Sequence, residues 1–124
     1  MIRQRLGKDL LFFDGGMGTL LQEKGLAPGE LPETWNLTHS EEIYKIHRQY
    51  IEAGSDIILT NTFGANALKF HDDSCSLEEI IKAAVSHVKK AEREALLQTG
   101  DERKIYTALD VGPTGKLLKP MGDL

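Results

Sequence analysis

The sequence predicts an α/β protein with a parallel sheet, and two observations support this. Three short apolar runs with little polar alternation, residues 10–13, 56–63 and 105–111, are typical of strands covered on both faces. One segment with apolar residues at helical spacing lies between each pair of runs. The order strand, helix, strand, helix, strand requires parallel strands joined by right-handed crossovers.

The first long helix is predicted to begin at Thr38 and to end at Gly54. Thr38 and Glu41 have the spacing of a capping box, and glycine is the usual residue after a helix end. Apolar side chains then recur on one face of this helix, at Ile43, Ile46, Tyr50 and Ile51. His47 lies beside this face, which favours a packed histidine over a ligand.

The second long helix is the most strongly patterned element of the chain. Ser76 and Glu79 form another capping box at its start. Its apolar stripe consists of Leu77, Ile80, Ile81, Ala84, Val85, Val88, Ala91 and Ala95. Residues 98–104 are polar and predict a connector to the last strand.

Composition and charge exclude several classes of partner. The 124 residues include 15 Lys and Arg against 19 Asp and Glu, which gives a net charge of -4 and argues against binding to nucleic acid or to an anionic membrane. The only cysteine, Cys75, allows no internal disulfide and no cysteine cluster that holds a metal. No apolar run is long enough for a signal peptide or a membrane span. We therefore expect a soluble cytoplasmic protein.

Polar and glycine residues follow each predicted strand. Asp14, Gly15 and Gly16 follow the first strand, residues 60–62 end the second, and residues 110–115 end the third. Because the carboxyl ends of parallel strands lie on one side of a sheet, these endings are predicted to form one rim, where such folds bind ligands. The long irregular loop over residues 24–36 precedes the first long helix, and long loops are often functional.

The first of these endings matches the chemistry of an amino acid. The Asp14 carboxylate suits a substrate ammonium group, and the backbone N–H groups of Gly15 and Gly16 suit a substrate carboxylate. The alternative is structural: Asp14 caps a turn, and the glycines only allow the turn to form. The sequence pattern alone is compatible with both interpretations.

Two phosphate-binding motifs are incomplete. Residues 112–116 resemble the end of a Walker loop, but Asp110 replaces its first glycine and Leu117 replaces the hydroxyl residue that contacts magnesium. Residues 16–21 begin like a dinucleotide fingerprint, but Leu21 replaces the third glycine. Both motifs fail at positions that their mechanisms require.

Three motifs in the same order give the chain a resemblance to a known family. The segments DGGMGTLLQ, LPETWNLTHSEEIYKIHRQYIEAGSDIILTNTFGAN and DVGPTGKLLKPMGDL resemble the amino-terminal part of the homocysteine S-methyltransferase domain. Within that family they are most similar to the amino-terminal module of the cobalamin-dependent methionine synthases. The resemblance extends from about Leu10 to Leu124.

The resemblance implies a fold, a reaction and a set of site residues. It implies a TIM (β/α)8 barrel that binds homocysteine, holds its sulfur as a zinc thiolate and transfers a methyl group to it to form methionine, with methylcobalamin as the expected donor. It places Asp14 at the substrate ammonium, Gly15 and Gly16 beside the bound amino acid, and Asn61 and Thr62 on the same rim. The cysteines that bind zinc in this family follow Leu124, so no metal ligand and no catalytic residue is assigned here.

The expected extent of the chain follows from barrel size. A (β/α)8 barrel takes roughly 250 residues, so residues 1–124, with about three β/α units, are expected to be the amino-terminal part of an incomplete barrel and to be inactive alone. The outer strand edges are then expected to pair with the rest of the barrel or with a second copy. One alternative is a non-catalytic assembly piece that completes a barrel with another chain, and another is a small flavodoxin-like binding domain. The methyl donor and the oligomeric state are left open.

Overall fold

Three parallel segments lie side by side in the computed structural model, which describes residues 1–122. Strand β1 (Ile57–Leu59) pairs in parallel with strand β2 (Tyr106–Ala108), with Ile57 opposite Tyr106. On the other side of β1, Phe13 forms a single parallel bridge to Ile57. The predicted α/β class and parallel strand direction are therefore confirmed, with the second apolar run in the middle.

The regular strands are shorter than the apolar runs that predicted them. The run over residues 10–13 forms a bridge and not a strand, because the Phe12 carbonyl accepts hydrogen bonds from both Asp56 N (2.8 Å) and Ile57 N (3.0 Å). Two donors on one carbonyl interrupt the regular ladder at this point. The Asp14 N–H resumes the pairing by donating to the Ile57 carbonyl at 2.9 Å.

Within residues 1–122, four α-helices flank these segments: α1 (Gly18–Glu23), α2 (Trp35–Thr38), α3 (Ser40–Ala53) and α4 (Leu77–Thr99). Single 3-10 turns occur at Ile2–Gln4 and Pro32–Thr34, so the predicted irregular loop over residues 24–36 contains a turn and the start of α2. No helix within residues 1–122 combines the length and the apolar character needed to cross a membrane.

The predicted start of the first long helix is wrong. Thr38 belongs to α2, where its hydroxyl donates to the Thr34 carbonyl at 3.2 Å, so it does not cap the following helix. The chain breaks at His39, whose ring stacks on Trp35 with centroids 3.9 Å apart, and α3 begins at Ser40 without a side-chain cap. The predicted end is confirmed, because Gly54 adopts the left-handed conformation at φ 111°.

Helix α4 begins with the predicted capping box. Glu79 N donates to Ser76 Oγ at 3.2 Å, and Ser76 N donates to Glu79 Oε2 at 2.9 Å. The helix ends at Thr99, so it extends into the region predicted as a connector, and Gly100 terminates it at φ 65°. This long helix packs against β2, and α3 packs against β1.

Two apolar clusters fix the helices against the sheet. The first joins α3, α4 and the strands through Ile51, Ile58, Val88, Ala91, Ala95 and Ile105. The second joins α1, α2 and α3 through Leu21, Leu26, Trp35, Ile43 and Ile46. Tyr50 packs against both clusters and thereby connects the loops at the strand ends to the core. His47 is fully buried on α3, which confirms that it is a packed histidine.

Large apolar side chains remain exposed along the outer segments. Leu10, Phe12 and Phe13 on the first segment are each more than half exposed, and so are Leu109 and Val111 after β2. In most folded domains side chains of this size are covered at such positions.

Candidate ligand site at the strand ends

A cavity of about 550 Å³ lies at the carboxyl ends of the three parallel segments. It is lined by Asp14, Gly15, Gly16, Met17, Gly18, Pro32, Glu33, Leu59, Thr60, Asn61, Phe63 and Asp110. Every predicted strand ending contributes to it, as does the Pro32–Thr34 turn. The predicted convergence of the strand ends on one rim is therefore confirmed.

Asp14 lies in this cavity with one carboxylate oxygen free of protein partners. Its Oδ2 accepts a hydrogen bond from Leu59 N at 3.1 Å, whereas Oδ1 is buried and has no partner within residues 1–122. Burial raises the pKa of Asp14 from 3.8 to about 6, and the negative charge of Asp110 adds to the rise. A buried acceptor without a donor is expensive in a folded protein, so this atom is a candidate ligand contact.

Gly15 and Gly16 supply backbone donors beside Asp14. Within the described residues, neither N–H donates a hydrogen bond to another protein group. The hydroxyl of Tyr50 donates to the Gly16 carbonyl at 2.7 Å, and a Cβ built on Gly15 would lie 2.8 Å from that hydroxyl oxygen. The φ angle of Gly15 is not positive, so backbone conformation does not require a glycine at this position. The close approach of Tyr50 does, because it leaves too little room for a Cβ.

Asn61 lines the cavity, and its side-chain nitrogen is occupied by protein contacts. Its Nδ2 donates to the Pro32 carbonyl at 2.8 Å and to Asn36 Oδ1 at 3.1 Å. The Asn61 carbonyl in turn accepts from Asn36 Nδ2 at 2.8 Å. This pair of asparagines holds the Pro32–Thr34 turn against the end of β1.

Thr62 lies behind the cavity and does not line it. Its buried hydroxyl donates to the Asp110 carbonyl at 2.7 Å. The single hydroxyl proton of Thr62 is used in that bond, so the 2.7 Å contact with Thr60 is one in which Thr60 donates. Asp110 N then donates to Thr60 Oγ1 at 3.2 Å, which ties the ends of β1 and β2 together.

Two residues of this region were not singled out from the sequence as site residues. Tyr50 lies on the predicted apolar face of its helix, and its partly exposed hydroxyl donates to the Gly16 carbonyl, a contact that no local sequence pattern indicates. Glu33 lies within the predicted loop, is only 4% exposed and accepts a hydrogen bond from Gly64 N at 2.6 Å. Acidic residues are rarely buried unless they are paired, but no sequence signal indicated that Glu33 would be buried.

The cavity combines a negative region with free backbone donors. Its lining contains three carboxylates, from Asp14, Glu33 and Asp110, and no lysine, arginine or histidine. Carboxylates favour a cationic group, and the free N–H groups of Gly15 and Gly16 favour an anionic one. A small zwitterion such as an amino acid presents both.

The residues present do not form a metal centre. No group of three or more His, Cys, Asp or Glu residues within residues 1–122 is arranged to hold a metal ion. Cys75 lies outside the set of residues that line the cavity. We therefore assign no step of the chemistry to a metal bound by these residues.

The structure defines an α/β protein with a cavity at the carboxyl ends of its parallel strands. The homocysteine S-methyltransferase family model matches residues 11–123, and the chain belongs to this family. The structure is also similar to that of the homocysteine methyltransferase MmuM from Escherichia coli at 24% sequence identity. The TM-score is 0.78 for the metallated form, where the match covers 92% of this chain and 42% of that chain.

Two other forms of the Escherichia coli enzyme match over nearly the same region. The oxidized form gives a TM-score of 0.77 and the apo form 0.70, both at 24% identity. The matches cover 92% and 90% of this chain but only 41% and 40% of those chains. The chain thus spans about two fifths of the length of these structures, and they show that its fold is part of theirs.

Proposed function

We propose that this chain is the homocysteine-binding part of a cytoplasmic methyltransferase that forms methionine. The observation that supports this most directly is the buried, unpartnered Oδ1 of Asp14 beside the free N–H groups of Gly15 and Gly16. An amino acid such as homocysteine carries an ammonium group that can donate to Asp14 Oδ1 and a carboxylate that can accept from the two glycine N–H groups. Membership of the homocysteine S-methyltransferase family supplies the identity of the substrate.

Each residue of the site then has a separate role. Asp14 holds the ammonium group through Oδ1 while Leu59 N keeps the carboxylate in place through Oδ2. Gly15 and Gly16 hold the substrate carboxylate, and Tyr50 fixes that turn from the other side. Asn61 supports the site indirectly, because its contacts with Pro32 and Asn36 hold the Pro32–Thr34 turn against the end of β1.

Thr62 orients the pocket from behind. Its contact with the Asp110 carbonyl keeps the loop after β2 against the loop after β1. We assign it no direct contact with substrate, because it does not line the cavity.

The parent protein is proposed to be a (β/α)8 barrel of which residues 1–124 form the amino-terminal part. Two regular strands and one further bridge do not close a barrel, and the matched structures are more than twice as long as the matched region. Any zinc ligands would lie outside residues 1–122, and methylcobalamin is proposed as the donor from the sequence resemblance alone. The 124-residue chain alone is accordingly proposed to be inactive.

The binding role is tested by calorimetry on the intact gene product. Homocysteine is compared with 4-mercaptobutyrate, which retains the thiol and the carboxylate and lacks the amine. We expect homocysteine to bind more tightly by about tenfold or more, because a charge-assisted hydrogen bond to Asp14 contributes about 1.5 to 3 kcal/mol. Equal affinity for the two ligands would contradict the proposed function.

The donor is tested by methionine formation from homocysteine with methylcobalamin, methylfolate, betaine or S-methylmethionine in separate reactions. We expect methylcobalamin to support turnover of the intact gene product and not of residues 1–124 alone. Turnover with another donor would replace methylcobalamin in the proposal while leaving the homocysteine site unchanged.

A second candidate function is a non-catalytic assembly piece that completes a barrel with another chain. The exposure of Phe12 and Phe13 on the first segment favours it, because these side chains lie where a neighbouring strand would cover them. This candidate predicts that the chain purifies with a second polypeptide and that no donor supports turnover by either one alone.

A further inference from the structure

We infer that Glu33 is a second contact for the substrate ammonium group, together with Asp14. This inference rests on the proposed function, and it adds a residue from a different loop to the determinants of specificity. Both carboxylates line the same cavity, one from the end of the first parallel segment and one from the Pro32–Thr34 turn.

Glu33 has fewer partners than a buried carboxylate requires. It is 4% exposed, and Gly64 N donates to its Oε1 at 2.6 Å. Within residues 1–122 its Oε2 accepts no hydrogen bond, and no lysine, arginine or histidine lies within ion-pair distance of it. Because an ionised carboxylate offers about four acceptor positions, one backbone donor leaves most of them unused.

The backbone that carries Glu33 is held in place by contacts on both sides. Asn61 Nδ2 donates to the Pro32 carbonyl at 2.8 Å, and Thr34 Oγ1 donates to the Leu31 carbonyl at 2.7 Å. These contacts fix the backbone of the turn, and the bond from Gly64 N fixes the Glu33 side chain itself, so that less conformational entropy is lost when a ligand binds. The Glu33 carboxylate is therefore preorganised for ligand binding.

Gly64 makes room for the Glu33 carboxylate. A Cβ at position 64 would lie 2.9 Å from Oε1, 3.2 Å from Cδ and 3.3 Å from Oε2 of Glu33. Any other residue at position 64 would therefore push the carboxylate from its place. Gly64 therefore leaves space for the Glu33 carboxylate and also supplies the one N–H group that donates to it.

An ammonium group supplies what both acids lack. It has three N–H donors and a positive charge, so in this proposal one ammonium group in the cavity donates both to the buried Asp14 Oδ1 and to Glu33 Oε2. A site built this way discriminates against a ligand without the amine, because the buried Asp14 Oδ1 would then be left unpaired and Glu33 Oε2 would gain no donor from the ligand.

The test compares Glu33→Gln with the unchanged protein, using the intact gene product and two ligands. The amide keeps an oxygen for Gly64 N and removes the charge. We expect homocysteine affinity to fall about 10- to 100-fold, the effect of losing a hydrogen bond between charged groups. Affinity for 4-mercaptobutyrate, which has no amine, should change by less than about threefold, on the same reasoning.

Glu30→Gln is the matched control. Glu30 lies in the same loop and outside the cavity, and its carboxylate accepts from Ala27 N at 2.9 Å and from Trp35 Nε1 at 2.8 Å. If Glu30→Gln disturbs the structure of the loop, the affinities for homocysteine and 4-mercaptobutyrate should therefore fall to the same extent. The ratio of the two affinities should stay at its original value.

The outcomes separate this inference from the proposed function. If Glu33→Gln weakens both ligands equally, Glu33 only supports the turn and the inference fails, while a preference of the unchanged protein for homocysteine keeps the proposed function. If the unchanged protein binds both ligands equally, the proposed function fails as well. Should Glu33→Gln not fold, Gly64→Ala displaces the same carboxylate without removing its charge, and a reduced preference for homocysteine is again expected.

Discussion

Replacing Asp14 by asparagine is expected to stabilise the protein at neutral pH while weakening its affinity for homocysteine. The carboxylate is half-buried, its Oδ1 has no partner within the described residues, and burial raises its pKa to about 6. Asparagine keeps an oxygen that can accept from Leu59 N and removes the buried charge. A residue that serves ligand binding at a cost in stability is expected to show this combination, in which its replacement raises stability and lowers affinity.

The size of the stability gain follows from the pKa. A rise from 3.8 to about 6 corresponds to about 3 kcal/mol at 1.36 kcal/mol per pKa unit. Because the side chain is only half-buried, solvent screening reduces this to about 1 to 1.5 kcal/mol. The raised pKa makes the folded state bind a proton more readily than the unfolded state, so the destabilisation is complete above about pH 6 and absent below about pH 4.

Urea unfolding of the Asp14→Asn variant at pH 7 and pH 4 measures this gain. We expect the variant to be more stable by about 1 to 1.5 kcal/mol at pH 7 and about equal to the unchanged protein at pH 4. Asp73→Asn, at an exposed aspartate outside the cavity, should change stability by less than about 0.5 kcal/mol at either pH.

Homocysteine affinity is measured on the same proteins. It should fall at least about tenfold in Asp14→Asn, and in the unchanged protein it should weaken as the pH drops below about 6, because a protonated Asp14 no longer attracts an ammonium group. The reasoning is refuted if the variant is less stable than the unchanged protein at pH 7, or if its affinity for homocysteine is unchanged.

Two further substitutions test the packing around the site and the core. Gly15→Ala places a Cβ 2.8 Å from Tyr50 Oη and should lower the unfolding free energy, measured in urea, by about 1 to 3 kcal/mol. Gly18→Ala is the control, because a Cβ at that position meets no atom within 4 Å. Equal losses of stability in the two variants would contradict the close approach of Tyr50 to Gly15. Burial lowers the pKa of His47 to about 4, so protonation of the unfolded chain should remove about 3 kcal/mol of stability between pH 6.5 and pH 4. His47→Leu should abolish that loss in unfolding measurements across this range, and the exposed His71→Leu should retain it.

The features that could be predicted from the sequence depend on local patterns. The capping box at Ser76, the glycine that ends α3 and the order of strands and helices are all encoded within a few neighbouring residues. The convergence of the strand ends then followed from the geometry of parallel sheets. Asp14 was singled out for the same reason, because a carboxylate and glycines directly follow an apolar run.

The features that were missed depend on contacts between distant parts of the chain. Glu33 meets Gly64 across 31 positions, and Tyr50 meets Gly16 across 34. No local pattern indicates which residue of a long loop will be turned toward the sheet. The Thr38 capping box failed for a related reason, since the preceding turn competes for the same hydroxyl and the sequence does not show which bond is formed.

The distribution of hydrogen bonds distinguishes the structural side chains of the rim from its candidate ligand contacts. The side-chain nitrogen of Asn61 bonds to Pro32 and Asn36, and the hydroxyl of Thr62 bonds to Asp110, so these groups hold three loops together.

Asp14 and Glu33 stand on the same rim, yet each retains a carboxylate oxygen that no described residue satisfies. Among the residues that line this cavity, Asp14 Oδ1 is the buried side-chain atom without a partner, and Glu33 Oε2 lies in the same lining and accepts no hydrogen bond within residues 1–122. Buried polar atoms in folded proteins are usually paired, so these two oxygens together favour a cationic ligand at this position.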